Sequence, residues 1–381
     1  MAQQTSDVVS ASGDGCPDES PLVAKLTVDA YRVTTDEPEA DGTLGWDSTT
    51  IVVVRAHCGE EVGLGYTYAD GSTATLIESK LAGVVCGRDA LSPRSAWTAM
   101  RRAVRNLGHP GISAMAISAV DLALWDLQAR LLSVSLCTLL GRARDYVPIY
   151  GSGGFTTYSD ARLSEQLGGW AASGIPRVKM KVGSEPGRDL HRAQVARQAI
   201  GADAELFVDA NGAYTRKQAL LFAERFVETA GVSWFEEPVS SDDLDGLRLL
   251  RDRAPAGMPI AAGEYGYEDV YFRRMLEAQA VDVLQADVTR CGGITGFLDV
   301  AALSRAHQLP LSAHCGPAIH LHVCCAVENL AHLEYFHDHV RIENLLFDGV
   351  VEPRDGALAP DLDRWGNGLA LREADAESYR L

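Results

Sequence analysis

The sequence predicts an α/β protein in which a closed barrel of eight parallel strands follows a smaller α+β module. Three features lead there. From residue 147 onward, short apolar strands alternate with amphipathic helices at a spacing of one βα unit. Before residue 147 the rhythm differs, with three alternating strands and then helices. Successive strands of the second region also carry an ionisable residue at their C-terminal end, the face on which parallel barrels build their sites.

The strands of the first region are "KLTVDAYRV" (25–33), "TTIVVVRAHC" (49–58) and "EVGLGYTYA" (61–69), with "CGE" suited to a hairpin turn between the last two. Between the first two, "TTDEPEADGTLGWDS" is polar and rich in turn formers, and a mobile loop is expected there. The clearest helix is "GISAMAISAVDLALWDLQARLL" (111–132), apolar at helical spacing and rich in small residues that permit close packing. The second region has strand candidates at "VPIYG" (147), "RVKMKV" (177), "ELFVDA" (205), "VSWFEE" (232), "PIAAGE" (259), "DVLQAD" (282), "LSAH" (311) and "LEYF" (333). Eight units in succession favour closure over an open doubly wound sheet. Residues 340–381 lack the barrel period and are expected to pack back on the first module.

Composition narrows the function. A net charge of −18 argues against nucleic acid and against anionic membrane surfaces as partners, while leaving room for a local cationic site. Residues 1–20 have neither a basic nor an apolar signal region and are expected to be a disordered extension. No apolar run long enough for a membrane span stands out. None of the eight cysteines is spaced as CxxC, so buried thiols in a reducing cytoplasm are expected.

The strand ends carry the chemistry. In order they present Lys179 and Lys181, Asp209, Glu236 with Glu237, Glu264, Asp287, His314 and Glu334. Asp209, Glu236 and Glu264 come from neighbouring strands. An all-oxygen set of that kind suits a hard divalent cation, Mg2+ first, and offers zinc neither His nor Cys. Of the adjacent pair, Glu236 is taken as the ligand and Glu237 as its support. Lys179 and Lys181 lie two residues apart and share one strand face. Two buried cations need an anionic partner, which a small-molecule carboxylate beside the metal would supply. Each should depress the other's pKa, leaving one able to act as a base.

The ordered set "KMK", "VDAN", "WFEEP", "GE", "QADVTRCGGITG", "AHC" and "LEYF" resembles the enolase superfamily, in its mandelate racemase-like subgroup. The resemblance covers most of the chain. It implies a modified TIM barrel, (β/α)7β, with an α+β N-terminal capping domain. The divisions are then 21–145 for the cap, 146–338 for the barrel and 339–381 for a segment returning to the cap. It implies Mg2+ on Asp209, Glu236 and Glu264, Lys181 as base on one substrate face, and His314, oriented by Asp287, on the other. Lys179 would hold the substrate carboxylate, Glu334 would donate a hydrogen bond to it as the enediolate forms, and Asn211 would be a minor contact. The activity implied is abstraction of the α-proton of a carboxylate, with dehydration of a sugar acid preferred because such dehydratases are common in the subgroup. Epimerisation, racemisation and cycloisomerisation use the same residues, and a catalytically idle metal-binding regulator is the alternative of another class. A homo-oligomer is expected.

Several further residues are weighed against blander roles. Trp46 follows the first strand, where the subgroup has a specificity loop, and either closes over the substrate or anchors that loop. Arg290, in the "TRCGGITG" turn, is a candidate substrate contact. "HLH" (320–322) opens a helix and is read as pocket wall or helix surface, and His337 and His339 as surface groups. "GSGG" (151–154) is read as an open turn that leaves room for the site. Asp36, Glu37, Glu39 and Asp41 leave the lid poor in cations, which disfavours a diacid.

Overall fold

The computed structural model describes residues 21–381; the expected extension over residues 1–20 lies outside them. The cap is an antiparallel sheet in the order β1 (Lys25–Ala40), β2 (Gly45–Cys58), β3 (Glu61–Tyr68). The helix Ile112–Leu131 packs on it, closing down on β3 where Gly63 and Gly65 offer no side chain against its backbone. This helix is long and apolar enough to cross a membrane, yet 78% of its most apolar window is buried inside the fold. Here that composition marks a core helix.

The expected mobile loop is instead the far half of a long hairpin. Pairing runs unbroken from Lys25↔His57 to Thr34↔Ser48, slips, and resumes at Glu39↔Trp46 and Ala40↔Gly45. The turn formers act only at the tip, where Asp41 Oδ1 accepts from the Thr43 amide at 2.6 Å and the Leu44 amide at 2.7 Å, an Asx turn. The tip rests on the barrel. A Cβ at Gly42 would strike the carbonyl oxygens of Val182 and Ala210, so only glycine permits this docking.

The barrel consists of β4 (Val147–Gly153), β5 (Arg177–Lys181), β6 (Glu205–Asp209), β7 (Val232–Glu236), β8 (Ile260–Ala262), β9 (Val283–Ala286), β10 (Leu311–Ala313) and β11 (Leu330–Phe336). Each strand runs parallel to the next, and β11 pairs with β4 to close the ring. A helix follows every strand from β4 to β10, including Pro317–Cys325 after β10. Seven βα units and a closing strand make a (β/α)7β barrel. "GSGG" is no open turn: three of its residues end β4, and the amide of the fourth, Gly154, donates to Gln166 Oε1 at 2.7 Å.

The closing segment touches both units. After β12 (Phe347–Asp348), β13 (Ala357–Leu358) runs antiparallel to the start of β4, and β14 (Ala370–Leu371) pairs with β12. Against the cap, Asn367 donates its Nδ2 to Leu64 O at 2.9 Å, and the Leu381 amide bonds Ala30 O at 2.9 Å.

Alternation along the strands sets the barrel interior in layers. Tyr150, Phe207, Trp234, Ala261 and Val283 form one apolar cluster inside it. Phe207 and Trp234 stack at 5.1 Å between ring centres, and His332 closes the layer with Nδ1 2.9 Å from Ser312 Oγ. This layer is the floor. The charged residues stand on it, toward the C-terminal ends of the strands.

Candidate active site

Asp209 and Glu236 end β6 and β7 and are paired in register, and Glu264 lies just past β8. All three are buried, and each offers an oxygen within 4.8 Å of the others. Burial, partly offset by Lys179, pushes Glu236 up to about 8. Burial also acts upward on Glu264, but His314 and Lys181 outweigh it and hold that carboxyl well below the usual range. Glu264 Oε2 is buried without an aligned hydrogen-bond donor. Three crowded carboxylates with a spare oxygen and no nitrogen or sulfur among them fit Mg2+. Glu237 is equally buried, at φ +38°, with both carboxylate oxygens unpartnered. Burial and repulsion from Glu264 raise its pKa well above the ordinary carboxyl value.

The two lysines of β5 reach this trio from one side. Lys179 Nζ pairs with Glu236, with Glu334 Oε1 at 2.8 Å and with Asp209 at 3.7 Å, above the Tyr150 ring. Lys181 Nζ meets Asp209 Oδ2 at 2.5 Å. Mutual depression of their pKa values is outweighed in this arrangement. Burial lowers both, and Lys179 does lower Lys181, but the surrounding carboxylates win and hold both above ordinary lysine. The reason is numerical: each amine faces more carboxylates than amines.

The other side is built by β9, β10 and β11. His314 Nδ1 lies 2.9 Å from Asp287 Oδ2, and its Nε2 is 3.2 Å from Glu264 Oε2. Burial lowers the imidazole, but Cys315, Glu264, Glu334 and Asp287 together raise it well above normal. Asp287 is itself fixed by the Thr289 amide at 2.7 Å. Glu334 Oε2 accepts from the Cys315 amide at 3.0 Å. Burial favours the neutral form of Glu334, but Lys179 and His314 hold its carboxyl well below the normal range.

The remaining expected contacts divide. Asn211, at φ +45°, sits beside the trio, its amide bonded to Asp209 Oδ1 at 2.9 Å and its own side-chain oxygen buried and free. Trp46 is half-buried, donates to Glu39 Oε2 at 2.8 Å and meets Phe155 edge-on at 5.6 Å. Trp46, Phe155, Phe336 and Cys315 share one apolar cluster beneath the hairpin. Arg290 is occupied at home, its Nε 3.5 Å from Asp287 and its Nη1 3.1 Å from Glu264 O. The helix-surface reading of "HLH" fails, because His320 and His322 are both buried, while His322 walls a small cavity with Asp361 and Asn367; His320 Nε2 accepts from the Val288 amide at 2.8 Å. His339 is not a surface group either, being stacked on Tyr68 with ring centres 3.4 Å apart. His337 is partly exposed and pairs with Asp36 at 3.0 Å.

Sequence reasoning gave neither Cys315 nor Glu39 a role of its own. Strand alternation would point Cys315 away from His314, so only its backbone angle reveals it. Glu39 looks like one more acid in a polar loop until the hairpin pairs it with Trp46.

Comparison with known proteins agrees with this fold. Residues 162–375 match the family model "Enolase C-terminal domain-like", and residues 27–141 match "Mandelate racemase / muconate lactonizing enzyme, N-terminal domain". A crystal structure of a mandelate racemase/muconate lactonizing enzyme-like protein from Rubrobacter xylanophilus superposes with a TM-score of 0.93 at 60% identity, covering 95% of this chain and 100% of that one. The 3,6-anhydro-alpha-L-galactonate cycloisomerase of Streptomyces coelicolor is 31% identical over 362 residues, 92% of this chain and 97% of its own. The L-talarate/galactarate dehydratase of Salmonella typhimurium is 32% identical over 327 residues, 85% of this chain and 80% of its own. Its structure liganded with Mg and L-lyxarohydroxamate gives a TM-score of 0.87 at 26% identity, covering 100% of this chain and 98% of that one.

Proposed function

The chain belongs to the mandelate racemase / muconate lactonizing enzyme family of the enolase superfamily, and on that premise we propose that it is a Mg2+-dependent enzyme that removes the α-proton of a sugar acid and expels the β-hydroxyl as water. One observation carries the reading. Lys181 and His314 approach the acid trio from opposite ends, Lys181 through Asp209 at 2.5 Å and His314 through Glu264 at 3.2 Å.

Asp209, Glu236 and Glu264 would hold the Mg2+, which when bound supplies positive charge beside the substrate carboxylate. The α-proton of a carboxylate is barely acidic, because its loss doubles the charge on the carboxylate oxygens. Lys179, fixed over the floor, is placed to offset that charge. Once Asp209 is engaged as a ligand, Lys181 loses the partner that keeps it protonated. Lys179 beside it then lowers its pKa, the direction a base needs. A substrate carboxylate that draws Lys179 from Glu334 frees Glu334 to take up and donate a proton. His314, held in one orientation by Asp287, delivers the proton that leaves with the β-hydroxyl.

The hairpin favours a mono-acid. Arg162 at its flank is already shared by Asp36, Glu37 and Glu165, and Arg341, which bonds Thr34 O, is paired with Asp338, which leaves a second substrate carboxylate without an unpaired arginine there. The similarity to a cycloisomerase across nearly the whole chain supports a second outcome of the same proton abstraction, ring opening or closure. A panel of sugar mono-acids assayed with Mg2+ tests both. An α-keto acid lacking the β-hydroxyl identifies dehydration, and an isomeric product identifies the second outcome. Mg2+ binding without turnover or α-proton exchange on any acid would support the idle regulator instead.

A further inference from the structure

Beside the all-oxygen trio stands a second trio of different chemistry. His314 Nε2, Cys315 Sγ and Glu334 Oε2 are separated by 3.2, 3.5 and 3.8 Å, and all three residues are buried. Neighbouring residues on a strand face opposite ways. Here β10 ends at Ala313, and Cys315 takes φ +54°, so its thiol turns onto the imidazole beside it. Glu334 is pinned by the Cys315 amide, and Asp287 on Nδ1 orients the ring so that Nε2 faces the thiol. A carboxylate behind a histidine is the usual support of a metal-ligating imidazole. Glu264 Oε2 lies 3.2 Å from the same Nε2 but belongs to the all-oxygen trio, so water would complete the set. The proton transfers leave the thiol unused.

We infer that His314, Cys315 and Glu334 form a second cation site, for a thiophilic divalent ion of the zinc class, which silences the enzyme when filled. Four-coordinate zinc has bonds of about 2.0–2.3 Å, which places tetrahedral donors roughly 3.2–3.8 Å apart. The three separations lie in that range, so little movement is needed to close on an ion. The two trios sort ions by softness, oxygen alone for Mg2+ and nitrogen, sulfur and oxygen for the zinc class. On binding, the sulfur–metal and nitrogen–metal bonds replace metal–water bonds, and the thiol proton and the Nε2 proton of His314 both pass to solvent with no change of oxidation state. The His314 Nε2 lone pair is then occupied and can carry no proton. The silencing, though not the binding, rests on the proton-transfer role proposed for His314.

Co2+ serves as the visible probe in the full-length protein saturated with Mg2+. The expected result is a sulfur-to-cobalt charge-transfer absorption with the strong visible bands of four-coordinate cobalt, both displaced by Zn2+. Cys315→Ala, or Cys315→Ser should the first fail to fold, abolishes the charge-transfer band. Either weakens Zn2+ binding by at least the roughly 10–100-fold that follows loss of a mere outer-shell partner. Cobalt binding with no sulfur band, or a band unchanged in both variants, overturns the site. With a substrate in hand, Zn2+ should inhibit the Mg2+ enzyme and spare Cys315→Ala. Inhibition that is equal in both overturns the silencing. A sulfur band in a protein that turns over no acid leaves the site standing and removes the proposed function.

Discussion

The floor and the mouth of the barrel come from the same strands, two residues apart, and they meet opposite demands. On β6 and β7 the inward positions are Phe207 and Trp234 below, Asp209 and Glu236 above. The floor buries apolar surface, each Å² contributing about 25 cal/mol. The mouth buries carboxylates and amines, a costly act unless every charge is matched. The contrast teaches where each property resides: the floor stabilises a layer that would be unfavourable alone. The two are also joined, for Trp234 Nε1 donates to Glu236 Oε2 at 3.0 Å, and Tyr150 lies beneath Lys179.

The sharpest way to break this division is to alter each layer and ask which property moves. Lys181→Met and His314→Asn should each cut turnover by about 10²–10⁴-fold, the usual worth of a proton-transfer group, with the fold intact by circular dichroism. Full activity in either variant would remove its assigned role. Trp234→Ala should cost about 3–5 kcal/mol of stability in denaturant titration; a loss of only a few tenths would mean that the floor is not the stabilising layer. Mg2+ at a hundredfold excess over its Kd should add about 2.7 kcal/mol, seen as a raised Tm, and Asp209→Asn should abolish that gain. An unchanged Tm in the wild-type protein would refute a metal at the mouth.

The smallest effect concerns the hairpin. Burial, followed by repulsion from Asp338, raises Glu39 from 4.5 to about 8. The native state therefore holds a proton that the unfolded chain has released, and stability falls as pH rises through this interval. Glu39→Gln should show a shallower fall than wild type between those two values, measured by chemical denaturation. Parallel curves would show that Glu39 does not titrate as its burial implies.

The fold and the acid trio were legible for one reason. Each βα unit repeats a local pattern, and each site residue sits at a fixed place in it, so position along the strand stands in for position in space. Asp209, Glu236, Glu264, Asp287, His314 and Glu334 all follow that rule. What escaped depends on contacts across distant segments or on backbone angles. The hairpin reads as a loop because its polar residues pair with each other and with the barrel, as Gly42 does against Val182 and Ala210. His339 reads as exposed because its cover, Tyr68, comes from the cap. Cys315 reads as an outward neighbour of His314 because φ is not written in residue order. The net rise of the lysine pKa values escaped because the sum over surrounding carboxylates needs coordinates.

Deuterium exchange at the substrate α-carbon is the most direct measurement of two opposed proton-transfer groups. With a true substrate and Mg2+ in D2O, the variant that retains the base for the substrate's own face should exchange the α-proton without eliminating water. The variant lacking that base should do neither. Exchange persisting in both Lys181→Met and His314→Asn, or lost from both, would contradict the account.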